Sequence, residues 1–226
     1  YDNIMLNCAD IEIKPVSEGF TIKLKSSGGS KELFSNKVVT TIESENLSSI
    51  LPFLEEEDRK NITDLNYAKV VQAVACYKKW DGIPVNAFGG LVPSKENRNS
   101  LGILFPSTLF DGRAPEGGAI LSVFMGGMKK PEVIDKTDEE LQKMVLSEIS
   151  EAMKTSSKPD LLKIFRYRSA IPQYELSSGE RFKTIENLQK RYQGLILAGN
   201  IRDGIGMADR VKQGKNIAQD IISNRL

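Results

Sequence analysis

A strand, a glycine-rich turn and a helix near the end of the chain form the pattern best suited to ligand chemistry. The apolar residues 195–198 lead to Gly199, and a loop with Gly204 and Gly206 enters a helix that starts near Met207. The unpaired N–H groups and positive dipole end of that helix suit a phosphate or an electron-rich ring edge. The spacing also fits a helix packed on a sheet without a ligand, because the full Gly-x-Gly-x-x-Gly pattern is absent.

A second group of glycines lies among large apolar side chains in the middle of the chain. Phe88 and Leu91 flank two glycines, which let the backbone come close to whatever these side chains face. Three further segments combine Gly or Pro with an aromatic residue: 104–107, 110–115 and 124–127. Composition by itself favours an ordinary core with turns for these segments.

The absence of histidine narrows the chemistry. With no histidine in 226 residues, Ser-His-Asp and Cys-His triads and His-ligated metal sites are excluded. Cys8 and Cys76 form neither a CxxC metal site nor a disulfide framework, and we expect both to be buried apolar residues in a reducing compartment. Any activity must use carboxylates, lysines, hydroxyls or a bound cofactor, and we predict no metal site. The acidic run at 55–58 is typical of a solvated helix start.

Charge and hydropathy argue against two classes of partner. Thirty-one basic and 30 acidic residues leave a formal net charge of +1, so we predict no nucleic-acid binding. The longest apolar stretch, 119–125, is far shorter than the roughly 20 residues that cross a bilayer. No signal peptide opens the chain, which begins with Tyr1 instead of Met, and we expect a piece of a longer protein.

Hydrophobic periodicity predicts a fold that mixes α/β and α+β elements. Apolar and polar residues alternate over the first forty positions, which predicts hairpin strands. The apolar run 38–42 predicts a strand buried on both faces. Further strands, several in a curved antiparallel sheet, are predicted at 67–80, 101–105, 119–125, 161–167 and 194–200. Helices are predicted at 137–154, where Thr137 and Glu140 form a capping box, at 184–192 and at 207–224. The inward side of the last helix is predicted to carry Val211, Ala218, Ile221 and Ile222.

Six segments, taken in order, resemble the C-terminal half of the oxygen-dependent protoporphyrinogen oxidases. These are flavin enzymes of haem biosynthesis in the monoamine-oxidase-like superfamily. The segments are FGGLVPSKEN, LGILFPS, FDGRAP, FMGG, AIPQY and LAGNIRDGIGMADRVKQG, and the resemblance covers essentially the whole chain. FGGLVP and RAP are specific to the porphyrinogen oxidases, whereas the last turn is shared across the superfamily.

The resemblance implies a two-part architecture. Residues 1–55 and 178–226 look like parts of a Rossmann-like FAD-binding domain, and 56–177 like a substrate-binding domain with a mixed, largely antiparallel sheet flanked by helices. In the family the flavin ring lies between the two. The implied cofactor is FAD, and the implied reaction oxidises a porphyrinogen (proto- or coproporphyrinogen) to porphyrin with hydride transfer to flavin and O2 as acceptor.

The resemblance also implies site residues. Asn200, Ile205, Gly206 and Met207 match the turn whose backbone lies by the flavin and its ribityl-phosphate chain. Asp10 falls in the strand that approaches the adenine, and Tyr167 falls where relatives often carry Trp near the flavin. The apolar walls around the tetrapyrrole are matched by Phe88, Gly89, Leu91, Leu104 and Phe124. No side chain is predicted to be catalytic, and Arg113, Lys95 and Arg98 are either ligands of rim carboxylates or surface charges.

One departure from the family affects the expected activity. The Gly-x-Gly-x-x-Gly turn that holds the FAD pyrophosphate, and the acidic residue that follows it, are missing from this sequence. We therefore expect the chain alone to bind FAD weakly or not at all and not to turn over. Two alternatives stay open: another superfamily member such as an amine oxidase or a carotenoid desaturase, and a non-catalytic tetrapyrrole-binding module.

The same resemblance also leads to expectations about the location and the assembly of the protein. The expected location is cytoplasmic, with peripheral association with the cytoplasmic membrane face as one option, because an apolar product needs hand-off to a downstream enzyme. No basic amphipathic helix stands out to support attachment. A homodimer is compatible with the sequence, and the expected small-molecule partner is the porphyrinogen.

Overall fold

The computed structural model describes residues 4–223, which divide into two compact units. One unit combines the residues up to Asn66 with those from Pro172 onward, and the other is Tyr67–Ile171. The strands are Ala9–Val16 (β1), Gly19–Ser26 (β2), Gly29–Ser35 (β3), Val38–Thr40 (β4), Tyr67–Tyr77 (β5), Gly89–Leu91 (β6), Ser100–Leu104 (β7), Ala119–Gly126 (β8), Leu161–Pro172 (β9) and Leu195–Leu197 (β10). The helices are Ser44–Ile50 (α1), Glu56–Thr63 (α2), Pro106–Leu109 (α3), Asp138–Met153 (α4), Ser178–Arg191 (α5) and Met207–Ile222 (α6). The mixed α/β content confirms the predicted fold class.

An antiparallel meander of β1, β2 and β3 opens the first unit. Alternation buries Ile13, Phe20 and Leu24 on one face, as the sequence predicted for β1 and β2. The third strand was not predicted, because its residues are exposed almost throughout and show no apolar face. It is held by backbone pairing with β2.

A short parallel pair, β4 and β10, belongs to the first unit. All three residues of β10 are buried, in agreement with the predicted buried strand. The prediction that the β4 strand is buried on both faces is wrong, because Val39 is exposed and the strand ends at Thr40. Within the described residues β4 pairs only with β10, so one of its edges has no neighbouring strand.

The helices of the first unit differ from the prediction in length and in which residues they bury. Helix α5 starts at Ser178, six residues before the predicted Thr184, because a buried arginine, Arg181, interrupts its apolar pattern. The residues of α6 that were predicted to be inward are not buried: Val211 is 70% and Ile222 83% exposed. Ala218 is also exposed and Ile221 half-buried. The buried residue of α6 is Gln213, since polar side chains make its contacts with the turn after β10.

The second unit is a five-stranded sheet in the order β6-β7-β8-β5-β9. Helix α4 and a short 3-10 turn, Pro131–Asp135, supply the apolar core on one face. Helix α4 begins at the predicted capping box: Glu140 N–H donates to Thr137 Oγ1 at 3.2 Å, and Thr137 N–H donates to Glu140 Oε2 at 2.9 Å. Strand β9 runs five residues beyond the predicted end at Tyr167.

Two smaller expectations concern the cysteines and the membrane. Cys8 and Cys76 are both free thiols, but each is half-buried and not fully buried as predicted. Burial raises the pKa of the Cys76 thiol, while nearby Lys163 opposes that rise. Over residues 4–223 the structure contains no helix with the length and apolar character that a membrane span requires.

Candidate functional site

The face of the five-stranded sheet that points away from α4 carries most of the predicted substrate residues. Strand pairing aligns Leu91 with Gly102, Gly102 with Phe124, and Phe124 with Gln72. These four residues form one row across β6, β7, β8 and β5. Their neighbours Val71, Val123 and Ile103 point to the α4 side, where they are buried in the core. We call the opposite surface the open face.

A second row of the open face lies two residues further along the strands. Gly89 pairs with Leu104, and Leu104 pairs with Ser122. Gly89 has φ +141°, and a Cβ there would lie 2.3 Å from the Ile103 carbonyl oxygen, so only glycine fits. Leu91, at the end of β6, has 85% of its surface exposed.

Two further predicted site residues, Tyr167 and Phe88, lie on or beside the open face. The Tyr167 hydroxyl donates to Gln72 Oε1 at 3.5 Å, which places this exposed ring on the open face. Phe88 precedes β6, its ring is exposed, and its carbonyl accepts from Phe105 N–H at 3.0 Å. Gly89, Leu91, Leu104, Phe124 and Tyr167 therefore share one surface, with Phe88 at its edge.

The open face offers shape and apolar contact, and its strands carry no carboxylate. Its polar groups include Ser122, Tyr167 and Gln72, whose Nε2 donates to Ser122 Oγ at 3.4 Å. Such a surface suits a broad apolar ligand that reacts with a bound cofactor. Within residues 4–223, no cluster of three Cys, Asp or Glu side chains is arranged to hold a metal ion.

A buried carboxylate on α4 holds the loop between β6 and β7. Glu148 accepts from Ser100 Oγ at 2.5 Å, Arg98 Nε at 3.0 Å and Asn99 N–H at 3.1 Å. Burial by itself would raise the pKa of Glu148, but the three donors together lower it below the usual value. Arg98, one of the three candidate rim ligands, is thus committed to Glu148 and also pairs with Glu151 at 3.3 Å.

In the first unit, the predicted glycine turn is held from α6 by Arg210. Its guanidinium donates to the carbonyl oxygens of Gly199, Arg202, Asp203 and Gly204. It also donates to Gln213 Oε1 at 2.8 Å. Gln213 in turn accepts from Gly199 N–H at 2.9 Å and donates to Asp203 Oδ2 at 2.8 Å. The backbone of the turn is therefore fixed before any ligand binds.

Two further side chains hold the same turn from the α5 side. The Tyr174 hydroxyl lies 2.9 Å from the Asn200 carbonyl oxygen and 3.2 Å from that of Gly204. Buried Arg181 donates to the Ile201 carbonyl at 3.2 Å, and its guanidinium lies 5.5 Å from the Tyr174 ring centre. Burial raises the pKa of Tyr174, which keeps its hydroxyl protonated and able to donate.

Sequence reasoning did not find these residues, although Arg210 carries one signal. A cation in the first turn of a helix faces the positive end of the helix dipole, which is unfavourable unless its side chain bonds to groups outside the helix. The loop carbonyl oxygens are those groups. Tyr174, Arg181 and Glu148 carry no comparable signal, because their partners are distant in sequence.

The predicted flavin contacts are accessible in part. Ile205 and Met207 are exposed and Asn200 is half-buried. The N–H of Gly206, predicted to be unpaired, instead donates to Asp209 Oδ2 at 3.0 Å. That carboxylate disfavours a phosphate at this helix end, whereas the exposed residues Ile205 and Met207 beside it can still meet a ring edge.

Asp10 lies elsewhere in the first unit, on the meander. It has φ +49° at a register irregularity of β1 and pairs with Lys25 at 2.7 Å. It lines a depression of about 440 Å³ that it shares with residues of β2 and β3. None of the residues of the glycine turn lines that depression.

The chain is similar to known flavin enzymes. Residues 2–222 match the family described as flavin containing amine oxidoreductase. It is 28% identical to the mitochondrial protoporphyrinogen oxidase of Nicotiana tabacum over 72% of this chain and 33% of that protein. It is 27% identical to coproporphyrinogen III oxidase of Bacillus subtilis over 49% of this chain and 24% of that protein.

A solved structure shows the same fold. A protein from Exiguobacterium sp. 255-15, with a provisional assignment as protoporphyrinogen oxidase, superposes with a TM-score of 0.76 at 20% identity. The match covers 95% of this chain and 46% of that one. The chain thus spans less than half the length of each of these three relatives. Because the family match covers nearly all of the sequence, the chain belongs to the flavin containing amine oxidoreductases, whose cofactor is FAD.

Proposed function

We propose that this chain supplies the substrate sheet and part of the flavin contact of an FAD-dependent porphyrinogen oxidase. The observation that carries the proposal is the open face, an apolar surface with Leu91, Leu104 and Phe124 on strands that contain no carboxylate. In this proposal Tyr67–Ile171 is the substrate-binding unit, and the remaining residues belong to the FAD-binding domain. The curated relatives named above are a protoporphyrinogen and a coproporphyrinogen oxidase, which supports this substrate class.

The open face matches the chemistry of a porphyrinogen. This substrate is a broad, largely apolar macrocycle, so Leu91, Leu104 and Phe124 would bind it by removing apolar surface from water. Ser122, Gln72 and Tyr167 would offer the few hydrogen bonds that orient the ring. Because the face has no carboxylate or histidine, the protein's part is to position the ring and to exclude water.

The glycine turn fits the ring end of FAD. Bound FAD supplies the hydride acceptor for a carbon of the macrocycle. Arg210, Gln213 and Tyr174 hold the turn, so the exposed residues Ile205 and Met207 would meet the flavin without reorganisation of the turn. Asn200 and Gly206 belong to the same contact, and Asp10 is proposed to lie near the adenine. Membrane association and a homodimer stay predictions of the resemblance.

A porphyrin titration tests the proposal. The chain has one tryptophan, Trp80, which lies in the second unit and stacks edge-to-face on Tyr77 at 4.9 Å. Quenching of Trp80 and the visible porphyrin band would be followed with wild type, Phe124→Glu and Leu91→Glu, each with and without FAD. The control is Met128→Glu, which changes an exposed apolar residue in the loop after β8.

We expect micromolar porphyrin binding that is lost in Phe124→Glu and Leu91→Glu and kept in Met128→Glu. Equal binding by all four proteins, with folding verified by circular dichroism, would refute the open face as the substrate site. Binding that is unaffected by FAD would favour the alternative of a tetrapyrrole-binding module.

A further inference from the structure

One end of the open face carries positive charge, in a cavity of about 290 Å³ beyond the Leu104–Ser122 row. Its lining includes Cys76, Ile120 and Leu161, which come from β5, β8 and β9, together with Arg113 and Lys78 from loops. Ile120 lies four positions before Phe124 on β8, which is about 13 Å along the strand. A broad ring that covers the Phe124 and Leu104 rows would extend its rim to this cavity.

Arg113 is available to an anion in this cavity. Its guanidinium lies 5.7 Å from the centre of the Phe110 ring and has no acidic partner among the described residues. The carboxylate that lines the cavity, Asp160, is engaged by Lys78, whose backbone N–H donates to Oδ2 at 2.8 Å and whose Nζ lies 3.9 Å from Oδ1. With Lys78 and Arg113 against Asp160, the lining keeps a formal net charge of +1.

Lys163 adds a second cation at the same end. It is exposed, lies two residues after Leu161 on β9, and acts electrostatically on the Cys76 thiol. The other cations of β9, Arg166 and Arg168, point to the α4 side, where they pair with Asp138 and Asp135. Lys163 has no ion-pair partner within residues 4–223.

We infer that Arg113 and Lys163 form a carboxylate-binding end of the open face that selects substrates by the acids on their rim. The inference rests on the proposed function and deepens it. A guanidinium binds a carboxylate through two parallel hydrogen bonds, and an ammonium adds a point charge. A tetrapyrrole with carboxylates on its rim would bind with its apolar ring on the Phe124 row and an acid at this end.

The experiment compares three porphyrins that differ in their rim acids: protoporphyrin IX, its dimethyl ester and the tetracarboxylate coproporphyrin. Each is titrated into wild type, Arg113→Gln, Lys163→Gln and the charge-keeping Arg113→Lys. The control variant is Lys143→Gln, an exposed lysine of α4 on the opposite side of the sheet. A salt series accompanies each titration, because ionic contacts weaken with ionic strength.

We expect each Gln variant to weaken binding of the two acids by about fivefold and to leave the ester unchanged. Arg113→Lys should restore part of the affinity, Lys143→Gln should match wild type, and added salt should weaken only the acids. Equal affinity of wild type for acid and ester, or an equal loss for both in Arg113→Gln, would overturn the inference. The proposed function would still stand in that case if Phe124→Glu abolished binding of both. If no porphyrin binds to wild type, both proposals fail.

Discussion

Replacing Glu148 by alanine is expected to destabilise the second unit by about 3 kcal/mol. The carboxylate is buried between α4 and the loop after β6, where it accepts from Ser100, Arg98 and Asn99. The side chain of Ser100 is 3% exposed, so its hydroxyl would lose its acceptor in a place that water does not reach. The same loop follows Leu91, so the substitution also tests what positions the edge of the open face.

The magnitude follows from the three lost contacts. An unsatisfied buried donor costs about 1–3 kcal/mol, and breaking a buried ion pair costs about 3–5 kcal/mol. The upper part of that range does not apply, because the Arg98 side chain is 26% exposed and keeps Glu151 at 3.3 Å. Glu151 is the matched control on the same helix: its side chain is 62% exposed, and Glu151→Ala should cost less than about 0.5 kcal/mol.

Urea unfolding followed by Trp80 fluorescence measures these differences at several pH values. The pKa of Glu148 in the folded protein lies below its usual 4.5, so the charged cluster stabilises the fold above that pH. This contribution is lost as the pH falls through the folded-state value. The stability advantage of wild type over Glu148→Gln should therefore be full near neutrality and shrink in acid.

Two results would refute this reasoning. One is an equal cost of Glu148→Ala and Glu151→Ala, which would show that the buried cluster contributes no more than an exposed ion pair. The other is a difference between wild type and Glu148→Gln that does not change between neutral and acidic pH. Either result would show that Glu148 does not hold the loop between β6 and β7 in place.

Three further predictions concern single side chains. Arg210→Met should destabilise the first unit by about 2 kcal/mol, because several loop carbonyls lose a charged donor. Amide hydrogen exchange in the turn at 199–206 should become faster, and an unchanged exchange rate would contradict this prediction. Tyr77→Phe should not destabilise the second unit, since the buried Tyr77 hydroxyl has no hydrogen-bond partner among the described residues and burial raises the pKa of Tyr77 to about 12. A loss of more than about 1 kcal/mol in urea unfolding would contradict this prediction. Thr137→Ala should cost about 1 kcal/mol in thermal unfolding by removing the N-cap of α4. Thr137→Gly should cost less, because glycine is a better N-cap than alanine, and a larger loss in Thr137→Gly than in Thr137→Ala would contradict the capping role.

The sequence by itself determined the elements whose signals are local. Alternation over β5 and the four-residue repeat with a capping box at α4 need no distant partner, so their types and starting points were predictable. The residues of the open face were also found from sequence, but through a family resemblance and not through periodicity. Strand pairing then brought Leu91, Leu104 and Phe124 onto one surface.

Only the tertiary structure decided which polar groups hold the candidate sites. Arg210, Tyr174 and Glu148 act on backbone groups or side chains that the fold brings near, and a linear pattern does not encode that proximity. The same reason explains the wrong burial predicted for α6: Ala218 and Ile221 line a cavity with Val39 and Ala198 but are not buried against them, whereas Gln213 contacts the turn. Periodicity specifies that a helix has an apolar side, whereas the partners that pack on it decide which side is buried.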